Sequence, residues 1–117
     1  MPTDQHSAEE IIQGILPFSR YAQRLLESEP GLRTELLQNL RTPFLREEMQ
    51  AFLHADAAAA NNEAGLHSAL RRLRKRVLLR LLARDLGGLT DLAAVKAGMT
   101  ALAEVTIGSA LERHQTW

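Results

Sequence analysis

Seven of the fourteen Lys and Arg residues in this 117-residue chain lie between positions 70 and 86: Arg71, Arg72, Arg74, Lys75, Arg76, Arg80 and Arg84. Cations at this density neutralise phosphates or carboxylates, so the run is the first candidate for chemistry with an anionic partner. Arg71, Arg72, Lys75 and Arg76 form the candidate partner surface. Nucleic acid is disfavoured, because no aromatic stacking residue interleaves the run and no helix-turn-helix spacing accompanies it. A solvated face of an amphipathic helix is the plainer account of these four.

Helical register divides the run. Leu66, Leu70, Leu73 and Val77 step by four, three and four, an apolar seam of the heptad kind. Continued, the same steps fall on Arg80 and Arg84, while Asp85 lies among Leu78, Leu81 and Leu82. All three charges therefore stand where the pattern predicts burial, and buried charges are unfavourable unless paired. Arg80, Arg84 and Asp85 are read as a polar anchor, paired with neighbouring helices or awaiting a partner surface; ion pairing is the expectation. On that reading Asp85→Ala destabilises the fold by roughly 1–3 kcal/mol.

Other chemistry is poorly supported. His6, His54, His67 and His114 are far apart and lack metal-ligand spacing, so they read as surface histidines. There is no cysteine, hence neither a disulfide nor a thiolate site. Ser109 sits mid-helix rather than in an exposed nucleophile turn. Gly87-Gly88 ends a helix instead of opening a phosphate-cradling one. Asp85 and Asp91 flank that turn, but capping and ion pairing account for both. No catalytic residue, metal ligand or cofactor is assigned to this chain.

The elements that must position the basic run are all helical. Ala, Leu, Arg, Glu and Gln dominate, and no period-two alternation is sustained. A single domain over 1–117 is expected, with about four short helices in 1–60 and a long antiparallel hairpin over 63–113. The first helix runs from about Ser7 to Leu16 and is interrupted by Pro17. Ser19 caps a second, through Ser28, that buries Tyr21, Leu25 and Leu26. A third runs from Pro30 to Leu40. Thr42-Pro43 opens a fourth, burying Phe44, Leu45, Met49, Phe52 and Leu53. Residues 55–62 read as a frayed end and connection. The hairpin pairs Glu63–Leu86, stopped by Gly87-Gly88, with a helix capped by Thr90 that reaches Arg113. At ~1.5 Å per residue each arm is about 35 Å long.

Formal net charge is zero but unevenly spread. Residues 1–70 carry five basic and ten acidic side chains, and residues 71–117 carry nine and four. A neutral total argues against a dedicated nucleic-acid binder. No signal peptide is recognisable, and no apolar stretch nears the ~20 residues of a membrane span. A cytoplasmic location is expected.

Leu70, Arg71, Arg72, Arg74, Arg76, Arg80, Arg84, Asp85 and Leu86, followed by Leu102, Ala103, Ala110 and Leu111, resemble the N-terminal region of the bifunctional glutamine synthetase adenylyltransferase/adenylyl-removing enzymes. Phe18 to Pro30 resembles that family's opening helices more loosely. The resemblance implies a helical segment of a large two-part nucleotidyltransferase. Such an enzyme attaches AMP to a tyrosine of glutamine synthetase, or removes it by phosphorolysis, under control of a PII-type protein. Clustered aspartates, Mg2+ and ATP or ADP serve the full-length family enzyme. The adenylyl-removing signature, Gly-Gly followed by Ser-Asp-x-Asp, does not occur here, so the chain alone is expected to be inactive. From another class, the alternative is a helical adaptor that binds an acidic protein or nucleic acid through its exposed arginines.

Overall fold

The computed structural model describes the backbone of residues 4–57 and 62–116, and side chains within 9–56, 62–109 and at 111. Six α-helices follow one another with no strand among the described residues: α1 (Asp4–Ile15), α2 (Arg20–Ser28), α3 (Gly31–Asn39), α4 (Arg46–Ala57), α5 (Glu63–Leu86) and α6 (Leu92–Thr116). The all-α class and the long hairpin are therefore as expected. The body is elongated, 52 × 30 × 24 Å.

Local signals account for most boundaries. Pro17 falls in a single 3₁₀ turn, Leu16–Phe18, that separates α1 from α2. The Ser19 hydroxyl then accepts a 3.1 Å hydrogen bond from the Ala22 amide, satisfying one orphan donor of the new helix. Pro30 sits one residue before α3. After α5, the Gly88 amide donates to the Asp85 carbonyl at 3.1 Å and the Leu89 amide to the Arg84 carbonyl at 2.8 Å. That pair of bonds is a Schellman stop, and it requires the left-handed φ of +72° that Gly88 adopts.

Four expectations are corrected at this level. Asn62, read as part of a frayed connection, caps α5 by accepting from the Gly65 amide at 3.0 Å. Asp91 rather than Thr90 caps α6, through a 2.8 Å bond from the Ala94 amide. α4 opens at Arg46, later than the Thr42-Pro43 signal, so Phe44 is buried just ahead of the helix while Leu45 is exposed. Tyr21 is also exposed; in α2 the buried positions are Ala22, Leu25 and Leu26.

Two apolar clusters form the core, and α5 runs through both. Ile12 and Ile15 of α1, Leu25 and Leu26 of α2, and Leu32 and Leu36 of α3 enclose Leu79 and Ala83 near the C-terminal end of α5. Met49 and Leu53 of α4, with Leu102 and Val105 of α6, enclose Leu66, Leu73 and Val77 nearer its N-terminal end. α6 approaches α5 closely at Gly98, where an added Cβ would lie 2.9 Å from a Leu81 methyl. The arginines of α5 are interleaved along the helix with these core positions.

Candidate functional site

Arg72, Arg76, Arg80 and Arg84 recur every four residues on α5 and so share a stripe along the helix. α4 runs antiparallel beside them with Asp56, Phe52 and Glu48 at the same spacing, and Phe44 continues it just ahead of the helix. From Arg72 to Arg80, each step of four up α5 meets a step of four down α4. The Arg72 Nε donates to the Asp56 carboxylate at 2.6 Å. Arg76 lies with its guanidinium carbon 4.8 Å from the Phe52 centroid and pairs with Glu35 of α3 at 3.1 Å. Arg80 donates to both Glu48 oxygens at 3.2 Å, and its guanidinium carbon is 4.2 Å from the Phe44 centroid.

Arg84 closes the ladder without a carboxylate. It donates to the Leu40 carbonyl at 2.7 Å and to the Leu89 carbonyl at 3.4 Å. Leu40 is the C-cap of α3, where helical carbonyls lose their intrahelical donors. Its side chain is wholly buried, so the arginine satisfies an acceptor beside the core. Burial first, and the charge of Arg80 second, hold the Arg84 pKa below its ordinary value.

Burial differs among the three expected anchor residues. Arg80 is only 3% exposed, and Arg84 is half-buried. Asp85 is exposed, and its carboxylate bonds to neither arginine. The expected burial of Asp85 is thus corrected. On a helix a shift of one residue rotates a side chain by about 100°, which carries Asp85 off the stripe that holds Arg80 and Arg84.

The candidate partner surface is largely engaged within the chain. Besides the pairs of Arg72 and Arg76, Lys75 reaches Glu29, the C-cap of α2, at 3.2 Å. Only Arg71 of the four has no acidic partner among the described residues; it donates to the Ser68 hydroxyl at 3.4 Å. Arg74, outside that set, is exposed. The acidic partners Glu29, Glu35, Glu48 and Asp56 all belong to the acidic first part of the chain, so internal pairing accounts for much of the uneven charge.

Surface pairs complete the frame: Arg33 of α3 with Glu9 of α1, and Arg46 of α4 with Glu104 of α6 at 2.9 Å. The carboxylate of Glu104 raises the Arg46 pKa through this bond. Sequence reasoning missed Glu48, Glu35, Asp56 and the two phenylalanines as partners. For Asp56, Phe52, Glu48 and Phe44 the signal was the four-residue spacing shared with the arginines; Glu35, on α3, lies outside that series.

Among the described residues, no three His, Asp or Glu side chains converge as metal ligands. The donor set present does not fit the paired metal ions of nucleotidyl transfer, which need clustered carboxylates. His54 and His67 are exposed, while the side chains of His6 and His114 fall outside the described residues. No helix among the described residues is long and apolar enough to cross a membrane.

The family described as glutamate-ammonia ligase adenylyltransferase matches residues 9–116. The bifunctional glutamine synthetase adenylyltransferase/adenylyl-removing enzyme of Nitrosomonas europaea is 57% identical over 111 residues, 95% of this chain and 12% of that protein. Its namesake in Nitrosomonas eutropha is 55% identical over the same shares. The Aromatoleum aromaticum enzyme is 38% identical over 96% of this chain and 12% of its own length. No solved structure matches the chain. The chain spans about 12% of the length of these curated relatives, and across that span it belongs to the glutamate-ammonia ligase adenylyltransferase family.

Proposed function

We propose that this chain is the helical scaffold of the adenylyl-removing half of a glutamine synthetase adenylyltransferase, and that it carries no chemistry itself. The observation behind this is the use of its cations. Five of the seven in the basic run, Arg72, Lys75, Arg76, Arg80 and Arg84, bind carboxylates or backbone carbonyls of the same chain, and the ladder ties α5 to α3 and α4. Arg80 and Arg84 act as its internal anchors. Asp85 lies outside the anchor and serves the partner-facing side.

Transfer or phosphorolytic removal of AMP on a glutamine synthetase tyrosine belongs to the rest of the parent enzyme. So do Mg2+, ATP and ADP, and the response to a PII-type protein. The parent works in the cytoplasm. Nucleic acid is not a partner, because few cations remain to neutralise phosphates.

Reading the DNA beyond codon 117 tests the assignment. An open frame carrying Ser-Asp-x-Asp is expected, and an unrelated frame would overturn it. A second test mixes the 117-residue chain with adenylylated glutamine synthetase, phosphate and Mg2+. No ADP above the blank is expected; release of ADP would show chemistry that the scaffold reading excludes.

A further inference from the structure

The α5–α6 hairpin leaves one side uncovered. On α5, Leu70, Arg74, Leu78, Leu81 and Asp85 follow one another at steps of four or three and share a face. On α6, Leu92, Val95, Met99, Ala103 and Ile107 do the same. Leu70, Arg71 and Arg74 line one hollow with Met99, Ala103 and Ile107. Leu78, Leu81, Leu82 and Asp85 line another with Val95 and Tyr21. Helical register puts both hollows on the same face, one after the other, and together they outline a groove about 21 Å or four helical turns long from Arg71 to Asp85.

The groove is apolar along its length and oppositely charged at its ends. Leu92, Met99 and Ile107 are 67%, 44% and 60% exposed, a stripe that water solvates poorly. At one end Arg71 and Arg74 are exposed, with no acidic partner among the described residues. At the other end the Asp85 carboxylate is equally open. A body seated here gains apolar burial in the middle and has its direction chosen by charge.

We propose that the groove seats an amphipathic helix from the remainder of the parent polypeptide. Its carboxylates lie against Arg71 and Arg74, and a basic side chain lies against Asp85. This rests on the scaffold reading above, since the curated relatives carry most of their length outside the matched region. It adds which face docks, what docks there and in which direction.

The test uses the labelled 117-residue chain on overlapping 20-residue peptides. These span the Nitrosomonas europaea relative outside its matched region. Binding is expected to concentrate on peptides with apolar residues at three-and-four spacing and carboxylates at one end. The paired substitution Met99→Asp/Ile107→Asp is expected to weaken it at least about tenfold. Arg71→Glu/Arg74→Glu should weaken it similarly and shift preference to peptides with the charged ends reversed. The arginine pair is exposed and reads the groove even if the apolar variant fails to fold. Binding that ignores both pairs of substitutions, or no peptide binding at all, would overturn the proposal. So would a dimeric chain made monomeric by the same substitutions, because a second copy would then be the occupant. A downstream frame encoding Ser-Asp-x-Asp together with an empty peptide array would reject the groove while leaving the scaffold assignment standing.

Discussion

Arg80 donates one hydrogen bond to each oxygen of Glu48, both at 3.2 Å, from a position only 3% exposed, whereas the Glu48 side chain is 44% exposed. The pair is therefore lopsided: a buried cation held by a carboxylate that still meets water. Phe44 adds its ring face, 4.2 Å from the guanidinium carbon. A planar fork suits this site, since it meets both carboxylate oxygens and the aromatic face together.

Arg84 and Asp85 are neighbours with opposite environments, and their substitutions should separate. Arg84→Met removes the donor to the buried Leu40 carbonyl and is expected to cost about 1–2 kcal/mol. Asp85→Ala, at an exposed carboxylate, should change stability by no more than about 0.5 kcal/mol. Urea midpoints of the two variants check this. Because folding lowers the Arg84 pKa, charging it opposes folding throughout neutral pH. That penalty is lifted only as pH rises through the lowered folded value, so the Arg84→Met difference should be flat between pH 6 and 8.

The hairpin depends on two glycines for different reasons. Gly88→Ala forces a side chain into the left-handed region and should cost about 1 kcal/mol. Gly98→Leu drives a large side chain against Leu81 where even a Cβ is crowded, and should cost about 1–3 kcal/mol by separating α5 from α6. Thermal melts followed by circular dichroism measure both. A Gly98→Leu melt equal to the parent's would contradict the close approach.

Internal pairing of the basic run also predicts weak affinity for nucleic acid. Fluorescence anisotropy of a labelled 20-base-pair duplex at physiological ionic strength should show no binding tighter than the nonspecific range of about 10⁻⁴–10⁻⁶ M. A tighter, steeply salt-dependent complex would mean that the arginines leave their carboxylates for phosphate.

Much of this arrangement is legible in the residues themselves. The apolar seam from Leu66 to Val77 points to Arg80 as buried, and Gly87-Gly88 marks the turn of the hairpin. Caps are harder, because Thr90 and Asp91 are adjacent and both suit the position; only the hydrogen bond to the Ala94 amide chooses Asp91. Asp85 shows the limit of reading one helix alone. Its leucine neighbours Leu78, Leu81 and Leu82 are only partly buried, packed at the margin of the core while lining an open hollow, and which side of α5 is covered depends on where α4 and α6 pack. The ladder lies between these cases. Arg72, Arg76, Arg80 and Arg84 share their spacing with Asp56, Phe52, Glu48 and Phe44, but the match gains meaning only once α4 is known to run antiparallel beside α5.

The most direct test of the ladder is a double-mutant cycle on its buried rung, with Glu48→Ala, Arg80→Met and the double variant unfolded in urea. Glu48→Ala strands a buried cation and is expected to cost about 2–4 kcal/mol. Arg80→Met leaves behind only a carboxylate that water reaches, and should cost about 1–2 kcal/mol. The double variant should be more stable than the sum of the single losses implies, with a coupling of about 1.5 kcal/mol or more. Single losses that simply add, to within about 0.5 kcal/mol, would contradict the claim that this basic helix is held from inside the fold.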